Sequence, residues 1–267
     1  MKKILMGCVY ALLMVSWSGH AQRVAAGNPL SALIEQVQPS IVGVGVVSPS
    51  AQPVYQMAGT GFAVGDGHWI VTNAHVLPAA LDTEKHEQLA VFLFSRTAAD
   101  GALQVQTRIA EIKQLDREHD LALLRIEGAP LPALRLSTAP DFLLPGSELV
   151  FTGYALGQAF GPSLTTHRGM ISAVTRSVLP IPHAQQLNAA AILALRKKPF
   201  TIYQLDATAF PGDSGSPIYA SQSGEVVAVI FGGLVKGNRE MAISTPSGIT
   251  YAVPVQYVWE ALQGAEK

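Results

Sequence analysis

Three short segments, far apart along the chain, carry the side chains that acyl transfer requires. They are Thr-Asn-Ala-His at 72–75, His-Asp-Leu-Ala-Leu-Leu at 119–124 and Pro-Gly-Asp-Ser-Gly-Ser-Pro at 211–217. A serine hydroxyl is a weak nucleophile at neutral pH, so it needs an imidazole to accept its proton and a carboxylate to orient that imidazole. We therefore predict a triad in which His75 is the general base, Asp120 orients it and Ser214 is the nucleophile.

The order of these residues, His then Asp then Ser, differs from the order in subtilisin-type and α/β-hydrolase enzymes. The nucleophile elbow Gly-x-Ser-x-Gly is absent around Ser214. A second acid, Asp116, competes with Asp120 for the triad, but it precedes the apolar run and is predicted to lie in a loop. The remaining candidate histidines lack the flanking pattern and are predicted to be solvated: His68, His86, His119, His167 and His183.

Two backbone N–H groups, those of Gly212 and Ser214, are predicted to form the oxyanion hole. Glycine can adopt the backbone conformation that turns its amide toward the charge developing on the substrate. The competing interpretation is that residues 211–217 form only a tight turn.

The first 21 residues have the pattern of a signal peptide. Met1-Lys2-Lys3 precedes an apolar stretch from Ile4 to about Trp17, and small residues lead to a predicted cleavage site after Ala21. The apolar stretch is shorter than the roughly 18 residues that a membrane-spanning helix needs. A lipid anchor on Cys8 is a weaker interpretation, because the hydrophobic run continues well past it. We expect an exported protein, periplasmic or secreted, with no stable membrane anchor after cleavage.

The composition excludes several classes of partner. Cys8 is the only cysteine, so a chain cleaved after Ala21 has no disulfide and must be stabilised by its core. Cleavage removes Lys2 and Lys3 but no acid, which leaves a small excess of acidic residues. Such a chain has no electrostatic attraction to nucleic acid or to anionic lipid.

The alternation of short apolar runs with turn-forming residues predicts an all-β protein. Beyond Pro39, short β-branched runs alternate with Gly, Pro, Asn and Asp, which is typical of barrels and sandwiches. We predict a signal peptide at 1–21, an N-terminal extension with a short helix at 22–40, a first barrel at 41–127, a crossover at 128–146 and a second barrel at 147–267. The second barrel is predicted to contain a helical insertion at about 184–196 and a C-terminal helix from about Val255.

Six motifs resemble, in the same order, the HtrA/Deg branch of trypsin-like serine proteases: Gly59–Val64, Trp69–Val76, Thr152–Gly157, Arg168–Ser172, Asp206–Thr208 and Tyr251–Pro254. The resemblance covers roughly residues 40–258. It implies two antiparallel six-stranded β-barrels with the active site in the cleft between them, and short helices at both ends. It also implies a serine endopeptidase that acts on unfolded or peptide substrates without a metal or cofactor. We expect a protease domain that lacks the C-terminal PDZ domain of many relatives.

Three departures from the family pattern lie near the site. Ser216 replaces a glycine, but glutamyl endopeptidases also show Ser-Gly-Ser-Pro, so no loss of catalysis is expected. Asp213 stands where HtrA proteins usually have asparagine and trypsin-like zymogens have aspartate. Ile41-Val42-Gly43 superficially resembles the new N-terminus that such zymogens release to pair with that aspartate. A helix-like segment precedes Ile41, and an interior strand is therefore the favoured interpretation.

The specificity pocket is assigned by resemblance alone. Its walls are expected at about 207–210, 229–232 and 248–251, with substrate contacts from Thr208, Ile230, Gly232 and Tyr251. None of these is acidic, which argues against a preference for Lys or Arg. Ile230 stands where glutamyl endopeptidases carry a histidine, which argues against a preference for Glu. We expect a modest apolar pocket.

Two other functions remain open from the sequence. One is a catalytically silent protease homologue that binds peptides or partner proteins, and the other is an esterase that uses the same site. A homo-oligomer is possible, but residues 22–40 lack the clear aromatic cluster that would support one. Loops 156–167 and 177–200 are the candidates for substrate recruitment and switching.

Overall fold

The computed structural model describes residues 28–50, 52–97, 101–157, 161–177, 199–233 and 248–265. Within them, two α-helices flank the sheets, α1 (Pro29–Val37) and α2 (Val255–Ala265). Helix α1 begins with Pro29 at its first turn, and the Leu30 amide donates to the Asn28 side chain, as helix starts favour. No described helix has the length and apolar character needed to cross a membrane. The predicted signal peptide and the predicted helix at 184–196 lie outside the described residues.

Twelve strands of the described chain form two closed antiparallel barrels of six strands each, so the predicted fold class is confirmed. The first barrel has the order β1-β2-β3-β6-β5-β4 and consists of Ile41–Val47, Tyr55–Val64, Trp69–Asn73, Gln88–Arg96, Leu103–Asp116 and Leu121–Ile126, numbered β1 to β6 along the chain. The second has the order β10-β11-β12-β9-β8-β7 and consists of Glu148–Gly153, Thr165–Arg176, Thr201–Asp206, Pro217–Ala220, Val226–Gly233 and Ile249–Pro254, numbered β7 to β12.

The strands at the centre of the molecule are apolar on both faces because each face packs against a different core. On β2, Ala63 points into the first barrel, whereas Phe62 and Val64 belong to a core shared between the barrels. Val150 and Val229 reach the same shared core from the second barrel. Side chains alternate across a strand, so a continuous apolar run is what a strand buried on both faces requires.

The crossover joins the barrels by hydrogen bonds as well as by sequence. The amide of Leu134 donates to the Ala63 carbonyl at 2.8 Å, and the amide of Val226 donates to the Arg135 carbonyl at 2.8 Å. One short stretch is therefore bonded to β2 of the first barrel and to β11 of the second. Helix α2 contacts β5 and β6 of the first barrel as well as β11 and β12, and Val258 lies in the shared core.

Candidate active site

The predicted general base and its predicted carboxylate partner lie beside two neighbouring strands of the first barrel, β3 and β6. Strand β3 ends at Asn73, and a single 3-10 turn, Ala74–Val76, then presents His75. Asp120 lies in the turn before β6 with a φ of 56°, which is uncommon for a residue other than glycine. The His75 amide donates to Asp120 Oδ1 at 3.0 Å, and His75 Nδ1 lies 2.5 Å from Asp120 Oδ2.

This pairing sets the tautomer of the imidazole. A carboxylate only accepts hydrogen bonds, so His75 Nδ1 carries the proton and donates it to Asp120. The other ring nitrogen, Nε2, is then left with a free lone pair, which is the form a general base needs. The imidazole is accessible to a substrate, because the His75 side chain is 47% exposed.

The backbone of Asp120 holds the histidine segment as well. Its carbonyl oxygen accepts the Ala74 amide at 3.1 Å and the Asn73 side-chain amide at 3.0 Å. Asn73 is fully buried, so this bond is shielded from competing water. Asn73 belongs to a motif quoted above, but no positional pattern in the sequence indicated its role.

Asp116, the competing carboxylate, pairs with a different histidine. Its Oδ1 accepts the amides of Glu118 at 2.9 Å and His119 at 3.0 Å, and its Oδ2 lies 2.7 Å from His119 Nδ1. The prediction that His119 is solvated is wrong, because its ring stacks on Tyr257 at 4.1 Å between centroids and meets Phe200 edge-on at 4.8 Å.

The prediction of a solvated side chain is also wrong for His167. Its ring is half-buried and stacks on Phe151 with 4.9 Å between the centroids. Burial lowers the pKa of His167 below its ordinary value. Strand β8 carries this residue opposite Phe151 on β7, which a reading of local sequence could not reveal.

The segment of the predicted nucleophile, Ser214, is bonded to both barrels. The Ser214 carbonyl accepts the Thr60 amide of β2 at 2.9 Å, and the Gly215 amide donates to the Ile230 carbonyl of β11 at 3.0 Å. A methyl group on Gly59 would lie 2.7 Å from Val76 and 2.9 Å from the Ser214 carbonyl, so the serine and histidine segments nearly touch.

The same cleft holds the histidine ring. Phe231, which follows Ile230 on β11, meets the His75 imidazole edge-on at 6.1 Å between centroids. Among the described residues, the structure has no hydrogen bond between Ser214 Oγ and the ring of His75. Such bonds are often long before a substrate binds.

Hydrogen bonds at 211–213 orient the two amides that the sequence assigns to an oxyanion hole. The Pro211 carbonyl accepts the Leu156 amide at 2.7 Å, so the Gly212 N–H, on the opposite side of that trans peptide, points away from Leu156. The Asp213 carbonyl accepts the Ser216 amide at 2.9 Å, which turns the Ser214 N–H away in the same manner. Gly212 has a φ of 106°, and a Cβ there would overlap the Tyr154 carbonyl oxygen, so glycine is required.

Two of the departures from the family pattern are buried together. Asp213 and Ser216 are both fully buried. Asp213 Oδ2 accepts the Phe210 amide at 2.8 Å, while Asp213 Oδ1 and Ser216 Oγ have no partner among the described residues. Burial raises the pKa of Asp213 to about 7, and the bond from Phe210 offsets only part of that effect. Ile41 begins β1 with its amide bonded to Gln38, so it is an interior strand residue and not a partner of Asp213.

The residues assigned to the specificity pocket lie on three adjoining segments of the second barrel. Thr208 is half-buried just after β9, and Tyr251 on β12 pairs in register with Gly232 on β11. Ile230 is fully buried in the core of the second barrel, so its side chain is closed to solvent.

Thr250 was not singled out in the sequence, yet it holds one wall of this region. Its fully buried hydroxyl donates to the Ala207 carbonyl at 2.8 Å and accepts the Ala209 amide at 2.9 Å. A threonine in a strand is common, so nothing in the local sequence marked it. In the described ranges, no three His, Cys, Asp or Glu side chains are grouped as a metal site would need.

A family model described as a trypsin-like peptidase domain matches residues 59–229, a span that contains His75, Asp120 and Ser214. The chain belongs to the trypsin-like peptidase family. It is 30% identical over 216 residues to "Serine protease HTRA2, mitochondrial" of Drosophila pseudoobscura pseudoobscura, which covers 81% of this chain and 41% of the relative. It is 27% identical over 240 residues to "Serine protease HTRA4" of Mus musculus, covering 88% of this chain and 41% of the relative. The chain thus spans about two fifths of these relatives.

Solved trypsin-like peptidase structures have the same fold. A serine endoprotease from Yersinia pestis superposes with a TM-score of 0.59 at 20% identity, over 90% of this chain and 67% of the other. The Rv3671c protease from M. tuberculosis, in its active form, gives a TM-score of 0.59 at 22% identity, over 86% of this chain and 82% of the other. The resemblance seen in the motifs is confirmed at the level of the trypsin-like peptidase family and of its fold.

Proposed function

We propose that this chain is a serine endopeptidase that hydrolyses peptide bonds through Ser214, His75 and Asp120. The observation that carries the proposal is the double contact of Asp120 with His75, through the ring nitrogen and through the backbone amide. It fixes a histidine with a free Nε2 at the edge of the cleft where the Ser214 segment docks. Membership of the trypsin-like peptidase family supports the same function.

The chemistry follows from this geometry in two half-reactions. Ser214 Oγ attacks the substrate carbonyl carbon as its proton passes to His75 Nε2, and the oxygen takes up negative charge facing the amides of Gly212 and Ser214. The bond to the leaving amine breaks as His75 returns the proton to its nitrogen, which leaves an acyl-enzyme. Water, with His75 again as base, then hydrolyses that ester and restores the Ser214 hydroxyl.

We also propose that the substrates are unfolded proteins or peptides with a small or medium apolar residue before the scissile bond. The predicted substrate contact from Ile230 is wrong, because its side chain is buried in the barrel core. No charged side chain is present at the three remaining positions assigned to the pocket, Thr208, Gly232 and Tyr251. An uncharged pocket offers no partner for a buried Lys, Arg or Glu of the substrate, and burying an unpaired charge is costly.

The start of the sequence further supports export, with cleavage near Ala21, to the periplasm or the exterior.

The test is cleavage of unfolded casein by the purified protein beside its Ser214→Ala variant, with mass spectrometry of the products. We expect cleavage by the wild type alone, with apolar residues before the cuts. Equal cleavage by both proteins would overturn the assignment of the nucleophile. Cuts after Lys, Arg or Glu would overturn the substrate preference and leave the mechanism standing.

A fluorophosphonate label distinguishes a latent enzyme from a silent homologue. This reagent reacts only with an activated serine, so a functional triad without a suitable substrate still becomes labelled at Ser214. A folded wild-type protein that neither cleaves casein nor takes up the label would overturn the proposed activity and favour a peptide-binding function.

A further inference from the structure

Thr60 is a fully buried polar residue of the first barrel that contacts the catalytic loop of the second. It lies on β2, on the same face as Phe62 and Val64, which pack in the core shared by the two barrels. Neither the specificity pocket nor the triad contains it, and the sequence presents it only as one letter of the Gly59–Val64 motif.

The Thr60 hydroxyl is bonded on both sides to the backbone around the oxyanion hole. Its Oγ1 donates to the Gly212 carbonyl at 2.7 Å and accepts the Tyr154 amide at 3.0 Å. Its own amide donates to the Ser214 carbonyl at 2.9 Å, and its carbonyl accepts the Thr72 hydroxyl at 2.7 Å. Every polar group of this one residue is thus used.

These bonds matter because Gly212 has no side chain to restrict its backbone. The peptide plane before Gly212 is fixed by the bond from Leu156 to the Pro211 carbonyl. The plane after it is held by the Thr60 hydroxyl and by the bond from the Asp213 amide to the Phe210 carbonyl at 3.0 Å. With both planes held, the φ of 106° is fixed and the Gly212 N–H keeps its direction. Without the hydroxyl, only the bond from the Asp213 amide holds the second plane, and the glycine itself offers little resistance to rotation.

We propose that Thr60 is a positioning residue for the oxyanion hole: its hydroxyl, reaching across from the first barrel, holds the Gly212 amide in the direction that stabilises the tetrahedral intermediate. The inference rests on the proposed peptidase function. If Thr60 has this role, removing its hydroxyl raises the free energy of the transition state more than it weakens substrate binding. The hydroxyl itself contacts neither the substrate nor the reacting atoms.

The test is a graded series at Thr60, with Ser, Cys and Val as replacements. Serine keeps the donor, the thiol of cysteine is a weak donor, and valine keeps the shape without any donor. Losing one oxyanion donor outright costs on the order of 10²–10³ in kcat. Because a misdirected donor is only partly lost, we expect Thr60→Val to lower kcat about 10- to 100-fold, Thr60→Cys less, and Thr60→Ser little.

A transition-state analogue separates this role from a structural one. A peptide aldehyde with a C-terminal valine forms a tetrahedral adduct with Ser214, and its affinity should fall by the same factor as kcat/KM for the matching peptide anilide. Binding of the same anilide to each variant in a Ser214→Ala background should stay unchanged. The matched control is Thr152→Val, since Thr152 is also fully buried, but its hydroxyl bonds to two residues of the second barrel, Thr166 and Tyr219.

Each outcome decides a specific point. Unchanged aldehyde affinity in Thr60→Val, with wild-type kcat, would overturn the inference and leave the peptidase function intact. Equal losses in Thr60→Val and Thr152→Val would mean general destabilisation and would also overturn it. If Thr60→Val does not fold, the comparison of Cys with Ser decides. A wild-type protein that neither turns over nor binds the aldehyde removes the proposed function itself.

Discussion

Asp120 and Asp116 stand four residues apart, and each pairs with a different histidine. Asp116 is the last residue of β5 and not the loop residue that the sequence predicted, and Asp120 lies in the turn that follows. Asp120 reaches His75 because β3 and β6 are paired, with Asn73 opposite Leu121. Asp116 pairs with His119 only three residues further along the chain. Two carboxylate–imidazole pairs therefore exist in this region, and only the one formed between strands contains the histidine whose segment adjoins that of Ser214.

Replacing Asp120 by Asn should lower kcat about 10⁴-fold with little change in peptide binding. The amide would offer its NH2 to Nδ1 and force the proton onto Nε2, so His75 could no longer accept the serine proton. The measurement is steady-state kinetics on a peptide anilide, with Asp116→Asn as the matched control and an expected loss below about tenfold. A larger loss for the Asp116 variant would reassign the orienting carboxylate.

Asp213 should make the protein less stable as pH rises. Its folded-state pKa, raised by burial to about 7, lies above the ordinary value of 3.8, so the folded state holds a proton that the unfolded state has released. The contribution is fully present below pH 3.8 and is lost as pH rises through about 7. If the shift acts in full, the loss approaches about 4 kcal/mol.

Asp213→Asn mimics the protonated carboxyl and should remove this dependence. Its carbonyl oxygen can accept the Phe210 amide as Asp213 Oδ2 does, and the side chain carries no charge at any pH. Urea unfolding at pH 5 and pH 8 is the measurement, and the difference between variant and wild type cancels the titration of the histidines. Parallel stability curves for the two proteins would contradict a buried neutral Asp213.

At the scale of elements, the turn 117–120 is held from outside its own barrel. The His119 ring packs between Phe200, which precedes β9, and Tyr257 of α2, whose hydroxyl accepts the Thr201 amide at 3.1 Å. The turn that carries Asp120 is therefore connected to the C-terminal helix and to the start of β9. Packing against these elements therefore helps to fix the position of Asp120, because Asp120 follows His119 in the same turn.

His119→Ala should therefore lower both stability and activity, although His119 touches no reacting group. Losing the ring contacts and the bond to Asp116 should cost about 1–3 kcal/mol. The turn would then be less well fixed, Asp120 would orient His75 less well, and kcat should fall several-fold. Urea unfolding and kinetics measure the two effects, and Glu118→Ala, in the same turn but exposed, should change neither. Full activity in a destabilised His119 variant would show that the turn does not need this packing.

The sequence could predict those features of the candidate site that depend on residues close together along the chain. The apolar run after Asp120 indicates a buried strand, and Gly212, two residues before Ser214, indicates a position where the backbone takes a positive φ. The roles of Thr60 and Thr250 could not be predicted, because each bonds to a backbone more than 40 residues away through the registry of strands. The alternation of apolar and polar residues predicts which face of a strand is buried. It does not predict which loop a buried hydroxyl contacts.

On the scale of the whole molecule, the two barrels share one core and one seam. The shared core draws on both barrels and on α2, and the crossover alternates its hydrogen bonds between β2 and β11. Thr60 and Gly212 extend the seam into the active site. An active site assembled from both barrels is then preserved only while the barrels stay docked, so the catalytic geometry and global stability depend on the same contacts.

This arrangement predicts that the barrels unfold together. Leu136, buried at the seam, should cost about 2–4 kcal/mol when changed to Ala, and the unfolding should remain a single transition. With Trp17 replaced by Phe, Trp69→Phe leaves Trp259 of α2 as the fluorescent probe, and Trp259→Phe leaves Trp69 of the first barrel. Coincident urea midpoints from the two probes are expected, both shifted equally by Leu136→Ala. A Leu124→Ala control in the core of the first barrel alone should shift both probes as well. The midpoints should coincide because a shared core cannot be lost from one side only. Separate midpoints would contradict this and show that the barrels unfold as independent units.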